Sequence, residues 1–302
     1  MTSDADTPVR RPPSVVVVGS VNRDYVCRVP AIPRPGETLL GADLYLGSGG
    51  KGGNQAVAAA RAGTPTRLVA RVGDDADGAA LLADLEAAGV DISDVSTSPT
   101  AATGAAFVMV ADDGENAIVV APGSNAELDG DAVRAALVGR LLRGDVLLLQ
   151  AEIPLSGIEA AAHLAERAGA RVVLNLAPYL EMPEALLGLC DPLIVNEGEA
   201  LALLDRTIEQ IDGPADLAER VGGWARSAVV TLGAAGAVVA AGYDVVHVAA
   251  ERVPVVDTTG AGDALAGALA AALARGDDLQ SAVRRGVAAG TAAVTHIGAR
   301  RV

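Results

Sequence analysis

The sequence predicts a three-layer α/β/α sandwich with a mostly parallel central sheet and a small β-sheet lid. Three observations predict it. Short runs of β-branched or leucine residues, S-V-V-V-V-G at 14–19 and D-V-L-L-L-Q at 145–150, read as strands buried on both faces. Helix-length stretches rich in Ala and Leu alternate with such runs, and repeated β-α units imply a parallel sheet covered on both sides. Between residues 25 and 46, Pro30, Pro33, Pro35, Gly36 and Gly41 punctuate the chain so closely that only short extended segments fit, which suits a small appendage.

Composition sets the frame. Of 302 residues, 51% are hydrophobic but only 2% aromatic, so the core is built from Ala, Val and Leu. A formal charge of -15 repels nucleic acid and anionic membranes, which excludes both as partners but still allows a small phosphate in a local nest. Cys27 and Cys190 match no metal or disulfide spacing, as expected of a cytoplasmic chain. The uncharged run 227–243 contains Gly233, Gly236 and Gly242 and reads as two core strands around a turn, not a membrane span. Residues 1–13 lack the apolar stretch of a signal peptide and are expected to form a disordered tail, leaving 14–302 as one domain without an internal linker.

The first strand runs into G-S-V-N-R-D at 19–24, where open α/β sheets hold their ligands. Asn22 and Asp24 are two apart and point the same way in an extended chain, although a plain turn also uses such residues. Next comes the glycine-rich run 47–63. Gly47, Gly49 and Gly52 satisfy G-x-G-x-x-G, but the run lies far beyond the first strand; Lys51 is followed by Gly52, where a Walker A loop needs Ser or Thr. What remains is a glycine loop at a helix start, carrying Lys51 and Asn54 close to a small polar ligand.

The pattern then predicts a strand at 67–72, a helix at 77–88, paired strands at 105–110 and 117–121, and a helix at 131–142. Glu152 follows the strand 145–150, again at a carboxyl end. A helix at 155–168, strand at 171–175, helix at 183–189 and strand at 193–196 follow. Asn196 and Glu199 stand three apart at a helix start, a spacing that favours mutual capping over a shared water-bound cation. Strands at 228–231 and 236–240 flank T-L-G-A-A-G, a turn open enough for a flat group and equally suited to a hairpin.

The stretch 255–267, V-V-D-T-T-G-A-G-D-A-L-A-G, leads a Gly-Ala-Gly turn into a helix reaching about residue 274. Its free N–H groups and dipole form an anion site. Asp263 at that turn either caps the helix or serves as a base for a nucleophile attacking phosphorus; a carboxylate is a poor phosphate ligand because the charges repel. A last helix spans 279–294.

G-S-V-N-R-D at 19–24, P-G-E-T at 35–38, G-G-K-G-G-N-Q-A at 49–56 and D-T-T-G-A-G-D at 257–263 together resemble the ribokinase family of carbohydrate kinases, over residues 15–298. The resemblance implies ATP-dependent phosphorylation of the primary hydroxyl of D-ribose, with Mg²⁺. It makes Asp263 the base and Gly260, Ala261 and Gly262 the anion hole. It assigns Asn22, Arg23, Asp24, Gly50, Lys51, Gly52, Gly53, Asn54 and Glu152 to the sugar. Asn196 and Glu199 fall near Mg²⁺ and the phosphates, Thr231, Leu232, Gly233, Ala234, Ala235 and Gly236 around the nucleotide together with Gly262, and Val287 beside adenine. Asp257, Thr259, Ala293, His296 and Gly298 match a potassium site; Val302 stands where the family has a Ser ligand, and His296 alone also suits a helix end. Segments within 25–46 and 104–121 would form the lid, whose exposed sheet implies a homodimer. Alternatives are a related kinase acting on 2-deoxyribose, fructose or adenosine, a non-catalytic sugar sensor, and a nicotinamide-dependent dehydrogenase resting only on the 47–52 glycines.

Overall fold

Val15–Val18 forms β1, an interior strand of a nine-stranded sheet in a computed structural model that describes residues 11–113, 115–205 and 208–300. It is followed by β2 (Asn22–Val29), β3 (Leu44–Gly49), α1 (Lys51–Arg61), β4 (Thr66–Gly73), α2 (Ala76–Ala87) and β5 (Asp91–Ser98). Next come β6 (Gly104–Ala111), β7 (Asn116–Ala121), α3 (Gly130–Leu137), β8 (Val146–Gln150), α4 (Leu155–Ala168) and β9 (Arg171–Asn175). After these lie α5 (Glu184–Leu187), β10 (Cys190–Asn196), α6 (Glu197–Leu204), α7 (Gly213–Gly222) and β11 (Ser227–Thr231). The described chain closes with β12 (Ala237–Ala241), β13 (Asp244–Val248), α8 (Ala261–Ala274) and α9 (Leu279–Ala293).

The large sheet has the order β13-β12-β11-β10-β9-β8-β1-β4-β5. It is parallel from β5 to β11 and antiparallel only across β11, β12 and β13, where hairpins replace helical crossovers. The valines of β1 explain why a run with no polar alternation is a strand. Val15 and Val17 face one layer with Leu81, Leu85, Leu265 and Leu269; Val16 and Val18 face the other with Leu147, Val133 and Ile158. All four are fully buried.

A second sheet, in the order β3-β2-β6-β7, stands beside the carboxyl end of β1. Gly47 and Gly49 belong to its strand β3, paired with Asp24 and Asn22, so the apparent G-x-G-x-x-G run is half strand and half helix and not one phosphate loop.

Several boundaries differ from expectation. The helix expected over 131–142 ends at Leu137, because Val138 is extended and Gly139 takes a φ of 73°. Strand β5, D-I-S-D-V-S-T-S, was not expected; it is a sheet edge with one neighbour and needs no apolar run. Helix α7 was also not expected, and it buries Leu217, Ala218 and Val221. Within the expected tail, Arg11 donates to both oxygens of buried Asp145, Nη2 to Oδ2 at 2.6 Å; residues 1–10 lie outside the described chain.

Candidate active site

Asp263 lies in the first turn of α8 and is 7% exposed. Gly260 is the N-cap, at a φ of 76°, and Ala261 and Gly262 open the helix. Helix α1 packs against α8 so that two of its side chains hold the carboxylate: Asn54 Nδ2 donates to Oδ2 at 3.0 Å, and Gln55 Nε2 donates to Oδ1 at 2.9 Å. Such a carboxylate is aimed rather than merely placed at a helix start.

A cavity of about 240 Å³ opens over this turn. Lys51, Asn196, Glu199, Thr231, Gly260, Gly262 and Asp263 reach it from five different elements. Residues of the 49–56, 196–199, 231–236 and 257–263 stretches thus meet at one cavity, whereas Asn22, Asp24, Asn54 and Glu152 are not among its lining. Thr258 of the 257–263 motif also lines it, as do Asn175, Ala177 and Ile194, which no motif singles out.

Asn196 and Glu199 form a reciprocal cap: Asn196 Oδ1 accepts from Glu199 N and Glu199 Oε2 accepts from Asn196 N, both at 2.8 Å. Burial raises the Glu199 pKa, against that backbone hydrogen bond and the charge of Lys51. The pair therefore caps α6 and lines the cavity at once.

The second sheet brings Asn22 and Asp24 to one side of β2. Burial pushes the Asp24 carboxyl up to about 6, with Arg300 opposing and Glu152 and Asp263 adding to the rise. Asn22 is 4% exposed and its Oδ1 accepts from Asn125 Nδ2 at 2.7 Å; Asn125, a partner that no motif marks, also accepts from Val21 N. Glu152 Oε2 accepts from Lys51 N at 2.9 Å and from Ser20 Oγ at 2.5 Å. It ties the start of α1 to the end of β1.

Other expected positions do different work. Arg23 alternates to the opposite side of β2 from Asn22 and Asp24, where its Nε is 3.1 Å from Asp77 Oδ1. Gly52 is a packing glycine: a Cβ there would lie 2.6 Å from the backbone of Gly19 and Ser20. Gly50, the α1 N-cap, needs its φ of 81°, and Gly53 faces Arg300. Of the turn 231–236 only Thr231 lines the cavity; Leu232 through Gly236 close a tight turn, with Leu232 N donating to Gly236 O at 2.8 Å. Val287 is 6% exposed in the core beside Leu265 and Val283, not at the cavity wall.

Asp257 Oδ1 accepts from Thr259 N and Oγ1 at 2.9 and 2.7 Å, and Oδ2 from Gly298 N at 2.9 Å, which keeps its pKa low despite burial. His296 N donates to Ala293 O at 3.3 Å. The five expected cation-site positions thus fall in two hydrogen-bonded groups, brought together where Asp257 N donates to Val294 O at 3.3 Å just past α9, while Val302 lies outside the described residues.

An α/β kinase architecture with a carboxylate at a helix N-terminus is the class that fold and site define. Residues 12–302 match the pfkB family of carbohydrate kinases, and the chain belongs to that family. It is 36% identical over 288 residues to the ribokinase of Haemophilus influenzae, covering 95% of this chain and 94% of that one. It is 32% identical over 294 residues to a deoxyribokinase of Salmonella typhi, covering 94% and 93%. The Arabidopsis thaliana ribokinase complexed with ribose and ATP superposes with a TM-score of 0.84 at 31% identity, covering 96% of this chain and 95% of that one. The chain is an ATP-dependent carbohydrate kinase.

Proposed function

We propose that the chain transfers the γ-phosphoryl group of ATP to the primary hydroxyl of D-ribose, giving D-ribose 5-phosphate and ADP. The observation that carries the chemistry is Asp263, gripped on both oxygens by Asn54 and Gln55 at the N-terminus of α8. Asp263 takes the proton of the sugar hydroxyl as its oxygen attacks phosphorus. The N–H groups of Gly260, Ala261 and Gly262 stabilise charge on the phosphoryl oxygens. Ribokinases among the relatives, and a ribose complex among the structures, support ribose as the acceptor.

Asn22, Asp24 and Asn54 are the sugar ligands in this reading, with Gly50 and Lys51 supplying the helix start and Glu152 fixing it. Asn196, Glu199 and Lys51 line the cavity with the donor types that suit a Mg²⁺-bound polyphosphate. Mg²⁺, when bound, neutralises charge on the phosphates. The β2, β3, β6 and β7 sheet acts as a lid that excludes water. Leu44, Leu46, Phe107 and Val119 share one exposed face of it by register, and we infer that a second copy covers them. The Asp257 loop suits a potassium ion. The free cysteines and the absence, among the described residues, of a helix that could cross a membrane fit work in the cytoplasm.

The test is ADP release from Mg-ATP with D-ribose, 2-deoxyribose, fructose, fructose 6-phosphate or adenosine. Ribose is expected to give the highest kcat/KM. A higher value for another acceptor overturns the substrate while leaving the role of Asp263 to be tested separately.

A further inference from the structure

The carboxyl-terminal loop enters the site by a route that the motifs do not mark. Asp257 anchors it through Gly298 N, and Ala299 then packs on Gly260, where a Cβ would lie 2.7 Å from Ala299 Cα. Arg300 turns inward. Its Nε donates to Asn54 Oδ1 at 2.8 Å and its Nη2 donates to the Gly49 carbonyl at 2.9 Å. A side chain at Gly53 would collide with that guanidinium, so the glycine is what admits it.

An amide has an accepting end and a donating end, whereas a guanidinium only donates and a carboxylate only accepts. Asn54 lies between one of each: its oxygen faces Arg300 and its nitrogen faces Asp263 at 3.0 Å. The reverse orientation would set donor against donor and oxygen against carboxylate. Removing Arg300 leaves Asn54 held from one side only. The guanidinium is buried among Asp24, Asp84 and Asp263, and although burial lowers its pKa to about 10 it stays cationic at neutral pH.

We propose that Arg300 is a positioning residue for phosphoryl transfer: by fixing which end of Asn54 faces Asp263, it links the loop held by Asp257 to the base. The inference rests on the reading of Asp263 as that base. Its reach is specific, because Arg300 acts through Asn54 and not on the reacting atoms.

A double-mutant cycle on kcat/KM for ribose tests it, with Arg300→Ala, Asn54→Ala and both together. Arg300→Ala is expected to lower kcat/KM by about tenfold or more in the natural background and by less than about twofold beside Asn54→Ala. Arg300→Lys, which keeps a donor but loses the planar fork, should restore part of the loss. Equal losses in both backgrounds, or natural kinetics in Arg300→Ala, overturn the proposal. Urea unfolding of the same four proteins reads the Arg300–Asn54 coupling without turnover; its absence also overturns the proposal. If the natural chain phosphorylates no acceptor while that coupling is present, the failure belongs to the functional reading and not to the contact.

Discussion

Gln55 donates from Nε2 to Asp263 Oδ1 at 2.9 Å while its own Oε1 accepts from Gln150 Nε2 at 2.7 Å. Gln55 and Gln150 are fully buried, so a relay of two amides runs from the end of β8 through α1 to the carboxylate on α8. Buried amides of this kind are costly unless satisfied; Gln55 uses both of its ends, whereas Gln150 Oε1 is buried without a hydrogen-bond partner among the described residues.

Gln55→Ala breaks the relay in the middle. It frees one oxygen of Asp263 and strands Gln150 Nε2, which costs about 1–3 kcal/mol. The expected result is a kcat lowered by about tenfold with the ribose KM nearly unchanged, together with a lower Tm. Steady-state kinetics and thermal unfolding check both; a KM effect alone would place Gln55 in sugar binding instead.

Asp263→Asn keeps the side-chain volume, removes the proposed proton acceptor and turns one gripped oxygen into a donor that faces Asn54 Nδ2 or Gln55 Nε2. Turnover should fall by roughly 10²- to 10⁴-fold while ribose affinity, measured calorimetrically without ATP, is retained. A loss of less than about tenfold would assign proton removal to another group.

The contrast between these two residues shows what a sequence carries. Asp263 was legible because the G-A-G turn, the helix start and the carboxylate are contiguous, as were Lys51 and Asn54 at the start of α1. Gln150, Asn125 and Arg300 were not, since their partners lie 95 residues or more away and nothing local distinguishes them from ordinary polar residues; Gln55 sits inside the 49–56 motif, but its role was hidden by the same distance. The parallel sheet was legible for the same reason of locality: β1 and β8 announce themselves by uninterrupted Val and Leu. β5 did not, because a one-sided edge strand can be polar. The pairing of Arg23 with Asp77 was not legible either, because adjacency in sequence hides the alternation that parts it from Asn22 and Asp24.

Asp24 sets a pH dependence. Its folded pKa of about 6 lies above the 3.8 of the free side chain, so the carboxylate proposed to accept sugar hydroxyls is lost as pH falls through 6, and kcat/KM for ribose should fall with it. Stability runs the other way: the raised pKa contributes stability that is full below 3.8 and is lost as pH rises through about 6. Asp24→Asn should therefore unfold a few °C higher than the natural chain at pH 8, by at most about 3 kcal/mol, while binding ribose poorly. An unchanged or lower Tm at that pH would show that the ionised carboxylate is not a burden on the fold.

The Asp257 loop is tested by ion replacement. Rates in potassium are expected to exceed those in sodium or tetramethylammonium, and Asp257→Ala should abolish the difference because it releases both Thr259 and Gly298. Equal rates in all three salts would leave Asp257 as a loop anchor only.

Gly267 explains why the α1–α8 contact is close enough for Asn54 and Gln55 to reach Asp263. A Cβ at Gly267 would stand 2.4 Å from Gln55 O, 2.6 Å from Ala58 Cβ and 2.9 Å from Ala59 N, and the first and last of these are backbone atoms that cannot rotate aside. Gly267→Ala must push the helices apart, by a few tenths of an ångström or more, one turn beyond the base. Overpacking of this sort costs about 1–3 kcal/mol. Because the same two helices carry the Asn54 and Gln55 hydrogen bonds to Asp263, kcat should fall more than the ribose KM rises, as in Gln55→Ala. If Gly267→Ala lowers Tm but leaves kcat unchanged in the folded protein, the grip on Asp263 tolerates the displacement and catalysis does not depend on how closely α1 and α8 approach.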